Sequence, residues 1–235
     1  MKTQIDHLVV AARTLDAGVA WCEATLGVTP GPGGEHALYG THNRLLKIAT
    51  PANPLASLEI IAINPDAPAR PVGAGKRWFD LDDAALQSGL ADQPRLVHFV
   101  ASTDDIARAV DALHGLGIDR GAVVSASRQS PKGLLQWQIT VRADGRRLFD
   151  GGLPSLIQWG KPGDSDPLRL HPRNSLPRSR VSLKHLSVQH PEAQLLQAGC
   201  QVIGLGGVSI RSGPAELVAA LQTPKGLVTL HSGAA

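Results

Sequence analysis

Aromatic residues are nearly missing from this chain: Phe, Trp and Tyr make up 3% of 235 residues. Its core therefore has to be built mainly from Leu, Val, Ile and Ala. Cysteine is as scarce, with Cys22 and Cys200 alone and far apart. That excludes a disulfide framework and a cysteine-ligated metal centre, and it predicts a reducing, cytoplasmic location. No run approaches the ~20 apolar residues of a membrane helix, so no membrane partner is expected. Near the start, Asp6 and His7 interrupt the apolar pattern, and the run Leu8 to Ala12 is too short for a secretory signal.

Charge is also in short supply. The formal net charge is +3, too small to predict nucleic-acid binding without a focused patch. Arg169, Arg173, Arg178 and Arg180 gather, but among Pro167, Pro172, Pro177, Asn174 and Ser175 and without aromatic stacking partners. They read as a solvated connector. Several catalytic signatures are missing too. There is no P-loop and no G-x-S-x-G, and Gly204, Gly206 and Gly207 do not form a dinucleotide fingerprint.

What is present is a globular composition, 43% hydrophobic and 18% charged, in a pattern that returns. Gln4 to Ala11 reads as a strand. Thr14 caps a helix with Leu15, Val19, Cys22 and Leu26 on one face, and Gly27 ends it. The order comes back with a strand over Leu96 to Ala101, a cap at Thr103 or Asp104, an apolar helix face of Ile106, Val110, Leu113 and Leu116, and Gly117. It returns more faintly with Leu183 to Val188, Pro191 and Gly199. His7, His98 and His185 recur at a period of about 90 residues, as an internal repeat would place them.

Further strands follow each helix: His36 to Tyr39, Arg44 to Ala49 and Ser57 to Ile63; then Gly121 to Ser125, Leu134 to Val141 and Leu153 to Trp159; then Val208 to Arg211, Ala215 to Leu221 and Leu227 to His231. Pro224-Lys225-Gly226 reads as a hairpin turn. The segment Glu216 to Leu221 is a strand or a helix; so short a periodicity does not decide. The Pro/Gly-rich segments 64–75 and 161–177 read as connectors. The expected organisation is α+β, with a first βαβββ module over 1–75, a second over 76–165 and a compact third over 181–235.

This plan resembles the vicinal oxygen chelate superfamily, in its glyoxalase-like branch. The stretches that carry the resemblance are Ile5-Asp6-His7-Leu8-Val9-Val10-Ala11, Gly40-Thr41-His42-Asn43-Arg44-Leu45-Leu46, Leu58-Glu59-Ile60-Ile61-Ala62 and Arg77-Trp78-Phe79. Leu134-Leu135-Gln136-Trp137, Leu156-Ile157-Gln158-Trp159-Gly160, Leu217-Val218-Ala219-Ala220-Leu221 and Thr223-Pro224-Lys225-Gly226 are similar to later parts of the branch. The resemblance implies curled mixed sheets that pair into a cup. It implies a divalent ion (Zn, Ni, Mn or Fe) held by ligands on the first and fourth strands of the modules. It also implies a small-molecule substrate or ligand, with isomerases, epimerases, dioxygenases and non-catalytic drug-binding proteins all among the members. Fold alone does not choose between them.

Three residues are the expected metal ligands. His7 stands at the family's first-strand position, and imidazole is a good ligand for these metals; the alternative is a strand histidine bonded to a neighbour. In a regular strand it shares a face with Val9 and Ala11, opposite Asp6 and Leu8. Glu59 lies within the apolar run Leu58 to Ile63, where a carboxylate is costly unless paired, hydrogen-bonded or bound to a cation. The resemblance makes it ligand and proton shuttle; the alternative is an ion pair, for instance with Lys47. His98 is the second-module equivalent of His7, and Gln158 is the candidate where the second module should offer a carboxylate.

His36, His42 and Asn43 are candidates for orienting a polar substrate, or for satisfying the Gly40-Thr41 turn. Trp78 and Trp137 line a pocket or fill core. His114 and His171 read as surface residues. Two functions follow: a metal-assisted lyase, isomerase or dioxygenase acting on a small oxygenated molecule, or a binding protein of the same fold without catalysis. The pocket is completed within one chain or across a homodimer; the residues leave both open.

Overall fold

The computed structural model describes residues 1–70, 73–130, 132–161 and 163–233. The first unit runs β1 (Thr3–Ala11), α1 (Leu15–Leu26), β2 (Gly31–His36), β3 (Thr41–Lys47) and β4 (Ser57–Ile63). After a short helix α2 (Ala84–Asp92), the second runs β5 (Arg95–Thr103), α3 (Ile106–His114), β6 (Ala122–Ser130), β7 (Gly133–Val141) and β8 (Ser155–Trp159). The third is β9 (Ser182–Gln189), α4 (Ala193–Val202), β10 (Val208–Arg211), β11 (Glu216–Thr223) and β12 (Gly226–His231). The fold is thus mixed α+β with three βαβββ runs and curled sheets. Glu216 to Leu221 is strand. Helix α2 is an addition; capped by the Asp83 side chain on the Leu86 N–H at 2.8 Å, it lies where the sequence showed no pattern.

Local chemistry explains the boundaries. The Thr14 hydroxyl accepts from Ala17 N–H at 3.1 Å and starts α1. Gly27 ends it in a left-handed conformation, φ 73°, that a side chain would disfavour. The cap of α3 is Asp105, whose carboxylate accepts from Arg108 N–H at 3.0 Å, one residue beyond the expected Thr103 or Asp104.

The first two units join into one eight-stranded sheet, order β2-β3-β4-β1-β5-β8-β7-β6. Each half is wired alike. β1 is parallel to β4 and β5 is parallel to β8, while β1 and β5 meet antiparallel at the centre. The third unit has the same element order but different wiring. Its sheet is β10-β9-β11-β12, and β9 takes its parallel partner from the strand straight after the helix rather than from the last strand.

Side chains divide between two cores. Leu8, Val10, Leu58, Ile60, Phe99 and Ala101 face outward, where the helices and the third unit's Leu186, Leu196, Leu217 and Leu221 cover them. Val9, Ile61, Val100, Trp137, Ile139 and Trp159 face the inside of the curl. Alternation along β1, β4 and β5 sets the two sides. Gly34 on edge strand β2 lies against Arg128 on edge strand β6, so the two ends of the sheet approach one another. No helix among the described residues is long and apolar enough to cross a membrane.

Candidate functional site

The inside of the curl holds a cavity of about 60 Å³. Most of the polar side chains come from the first half of the sheet and most of the apolar ones from the second, Arg128 of β6 and Leu45 of β3 being exceptions. Asp6, His7, His36, Asn43 and Glu59 stand against Leu135, Trp137, Ile139, Ile157 and Trp159.

A β-bulge builds the polar wall. Across the β1–β5 seam, Ile5 faces Ala101 and His7 faces Val100, leaving Asp6 as an extra residue. The bulge turns Asp6 and its neighbour His7 to the same side, as bulges beside functional sites do. Regular alternation predicted opposite faces for the two, and the structure corrects that.

Asp6 is 1% exposed and fully engaged. One oxygen accepts from His7 Nδ1 at 2.7 Å. The other accepts from Trp159 Nε1 at 2.8 Å and His171 Nε2 at 3.2 Å. Burial pushes the carboxyl up, but His171 and His7 outweigh it and hold the group well below the usual carboxylate range. His171 is fixed by its other nitrogen, which accepts from Arg173 N–H at 3.0 Å.

His7 presents Nε2 to Glu59 Oε2 at 3.5 Å. Burial pulls the imidazole down; the hydrogen bond to Asp6 and the charges of Glu59 and Asp6 carry it above its ordinary value. Glu59 Oε1 accepts from Asn43 Nδ2 at 2.5 Å, and Asn43 Oδ1 accepts from Gly34 N–H at 2.7 Å. Glu59 is therefore tied to His7 and Asn43, not to Lys47, whose ammonium donates to the Arg173 carbonyl at 3.2 Å. His36 contacts the Thr41 hydroxyl through Nδ1 at 3.1 Å. Burial lowers its imidazole to about 4, against the opposing charge of Glu59. Hydrogen bonds join Asp6 to His7 and Asn43 to Glu59, and a 3.5 Å charge contact joins His7 to Glu59, an arrangement able to orient an imidazole beside a carboxylate.

The second half carries the same bulge. Val9 faces His98 and Val10 faces Leu96, so Val97 is the extra residue there. His98 follows it as His7 follows Asp6. In register, Val9 pairs with Glu59 and Val100 pairs with Ser155, each two residues beyond its histidine. Ser155, not Gln158, thus occupies the position of Glu59. His98 is wholly buried, with Nδ1 against the Gly151 carbonyl at 3.1 Å and Nε2 accepting from Ser155 N–H at 3.0 Å. Burial, with Arg120 nearby, holds its imidazole well below the ordinary value. It borders a separate, smaller space with Arg120 and Arg142.

The structure therefore brings together His7, Glu59, Asn43, His36, Trp78 and Trp137 on one cavity. It leaves out three candidates. His98 has both ring nitrogens committed elsewhere. His42 alternates with Asn43 along β3 and points to the other face. The Gln158 side-chain oxygen accepts from Ile106 N–H at 2.8 Å, capping α3, because Ile157 and Trp159 take the inward positions of β8. Sequence reasoning missed Asp6, Arg128, His171 and Trp159, all of which line the cavity. Asp6 carried a signal, a carboxylate within an apolar strand, the same clue that marked Glu59. His171 read as surface, yet it is 1% exposed, because the connector crosses the cavity with His171 and Pro172 turned in.

The divalent ion implied by the resemblance needs a donor set, and the residues present do not fit one. His98 is locked to backbone, Ser155 stands where the second carboxylate would be, and Asp6 spends its oxygens on three donors. Among the described residues, no three His, Cys, Asp or Glu side chains are arranged to hold a metal.

A family model described as a glyoxalase-like domain matches residues 5–204. A hypothetical protein from Staphylococcus aureus shares the fold with a TM-score of 0.61 at 16% identity, over 92% of this chain and 88% of that one. Methylmalonyl-CoA epimerase of Streptomyces coelicolor aligns at TM-score 0.40 and 18% identity, over 67% of this chain and 98% of that one. A hypothetical protein from Bacillus halodurans aligns at TM-score 0.39 and 10% identity, over 70% and 100%. No curated protein matches the chain.

Proposed function

We propose, from the premise that this chain belongs to the glyoxalase-like domain family, that its cavity binds a small oxygenated molecule and that His7 and Glu59 move a proton on it. The observation that carries this is His7 held between two carboxylates, Asp6 at 2.7 Å and Glu59 at 3.5 Å, on the wall of a cavity. Asp6 fixes Nδ1, so Nε2 is left to face Glu59 and a bound molecule. With its pKa raised, the imidazolium is available to donate to a developing oxyanion, and Glu59 stands next to it to accept a proton from carbon or oxygen. Asn43 holds Glu59 in place. Trp137, Ile157 and Trp159 exclude water from the opposite side.

The chemistry is isomerase-, epimerase- or lyase-like: abstraction of a proton beside a carbonyl and its return or loss. A second reading, binding without catalysis, is favoured by the wholly apolar wall from β7 and β8.

The test is a panel of 2-oxo acids, 2-hydroxy acids, diols and catechols in heavy water with a chelator. Thermal shift reports binding, and proton NMR reports exchange of carbon-bound hydrogen. Exchange that survives the chelator and disappears in His7→Ala and Glu59→Gln supports the proposal. Shifts without exchange leave only binding. Exchange that requires added metal returns the ion to the mechanism and overturns the metal-free reading.

A further inference from the structure

The polar chain on the cavity wall satisfies itself; two side chains beside it do not. Arg128 reaches in from β6, and its Nη1 is buried with no hydrogen-bond partner among the described residues. Trp78 Nε1 is in the same position. Its ring is stacked against Tyr39 at 4.1 Å and Phe79 at 5.2 Å, which fixes where that N–H points. Both residues line the cavity. Buried donors without acceptors are costly in a folded chain, so a pair of them on one cavity marks a place for an acceptor group.

Glu59 does not serve as that acceptor. Its oxygens go to Asn43 and His7, and no ion pair joins it to Arg128 among the described residues. The backbone makes room for the guanidinium. A Cβ on Gly34 would sit 1.9 Å from Arg128 Nη1, so a side chain at that position would displace the guanidinium from its present place.

Arg128 also lines a second space. Adjoining the cavity is a groove of about 490 Å³ whose lining is mostly apolar, with Pro32, Leu45, Leu135, Leu170, Pro172 and Leu176, but also carries Glu35 and Lys132. Arg128, Leu45, Leu135 and Pro172 belong to both. The inner space admits only a few heavy atoms; the outer one is of ordinary ligand size.

We infer that the ligand is a monocarboxylate with an apolar chain, its carboxylate held by Arg128 and its chain lying along the outer groove. This rests on the reading of the cavity as a ligand site. A carboxylate accepts from a guanidinium at two oxygens, which an alcohol or amide does not reproduce. The groove's apolar lining supplies the rest.

Calorimetric titration of the full chain with octanoate, butanoate and octanol tests it. Octanoate should bind, octanol should bind at least tenfold more weakly, and each methylene removed from the acid should cost roughly fourfold in affinity. Arg128→Gln should weaken octanoate roughly 10- to 100-fold and leave octanol unchanged, with Arg128→Lys in between. Leu176→Ser should weaken octanoate but not butanoate. Equal affinity for octanoate and octanol in the natural chain overturns the proposal, as does undiminished octanoate binding by Arg128→Gln. The first comparison needs no variant, so a misfolded Arg128→Gln leaves the test standing. If octanoate binds as stated but no carbon-bound hydrogen exchanges on any panel compound, the proton-transfer reading fails and the carboxylate site survives. If exchange proceeds and octanoate does not bind, the reverse holds.

Discussion

The His7 and His98 positions are built on the same backbone. Each follows an extra residue at a bulge, and each faces a side chain from the parallel partner strand two steps along. In the first half the neighbours are Asp6 and Glu59. In the second they are Val97 and Ser155. The imidazole between two carboxylates sits on a cavity with its pKa raised; the one between valine and serine is sealed with its pKa lowered. The same backbone geometry thus holds a cavity-lining imidazole in one half and a sealed one in the other, according to two flanking residues.

Four measurements press on that contrast. The largest effect belongs to His7→Ala, which should cut hydrogen exchange on any active panel compound by about 10²–10⁴ beside a stability loss of about 1–3 kcal/mol from its contacts with Asp6 and Glu59. His98→Ala should lower stability and leave exchange in place. It leaves the Ser155 N–H without its acceptor and opens a void, costing about 2–3 kcal/mol, or roughly 4–12 °C by calorimetry. If His98→Ala abolishes exchange at full stability, the two positions are not different in kind.

The smallest effect is in pH. His36 and His98 have folded pKa values below 6.5, so the unfolded chain binds more protons as pH falls through 6.5. Stability should therefore decline from pH 6.5 towards about 4, and His98→Gln should flatten that slope in urea titrations. His7 works against it, because its raised pKa adds stability that is complete below 6.5 and lost as pH rises through the folded value. Asp6→Asn should move the His7 titration down, as NMR would show, by removing the partner on Nδ1. A His7 titration unmoved by Asp6→Asn would mean the bulge does not set its charge.

The strand-helix order of all three units was legible from hydrophobic periodicity and caps, down to the strand status of Ser57–Ile63 and the turn at Pro224-Lys225-Gly226; the strand expected at His36 to Tyr39 lies instead at Gly31–His36, a Gly- and Pro-rich stretch with no apolar pattern. His7, Glu59, Asn43, His36, Trp78 and Trp137 stood out as candidates because polar or bulky residues interrupt apolar strands, and all six line the cavity. Pairing was not. Asp6 was assigned to the wrong face because a bulge has no signature in a single sequence. Gln158 was taken for Ser155 because strand register is a tertiary property, and a one-residue slip exchanges faces. Arg128 and His171 reach the cavity from the far edge of the sheet and from a connector. Nothing local announces contacts made across so much chain.

The outer core has a further consequence. Leu183, Leu186, Leu196, Leu217 and Leu221 pack into the same apolar mass as Leu8, Leu58 and Phe99, and the Leu183 N–H donates to the Ile48 carbonyl at 3.0 Å. The last fifty or so residues therefore do not form a detachable appendage. Removing them would strip the backs of the strands that carry His7 and Glu59, and the loss would register as melting of the whole molecule rather than as a smaller protein with its chemistry intact.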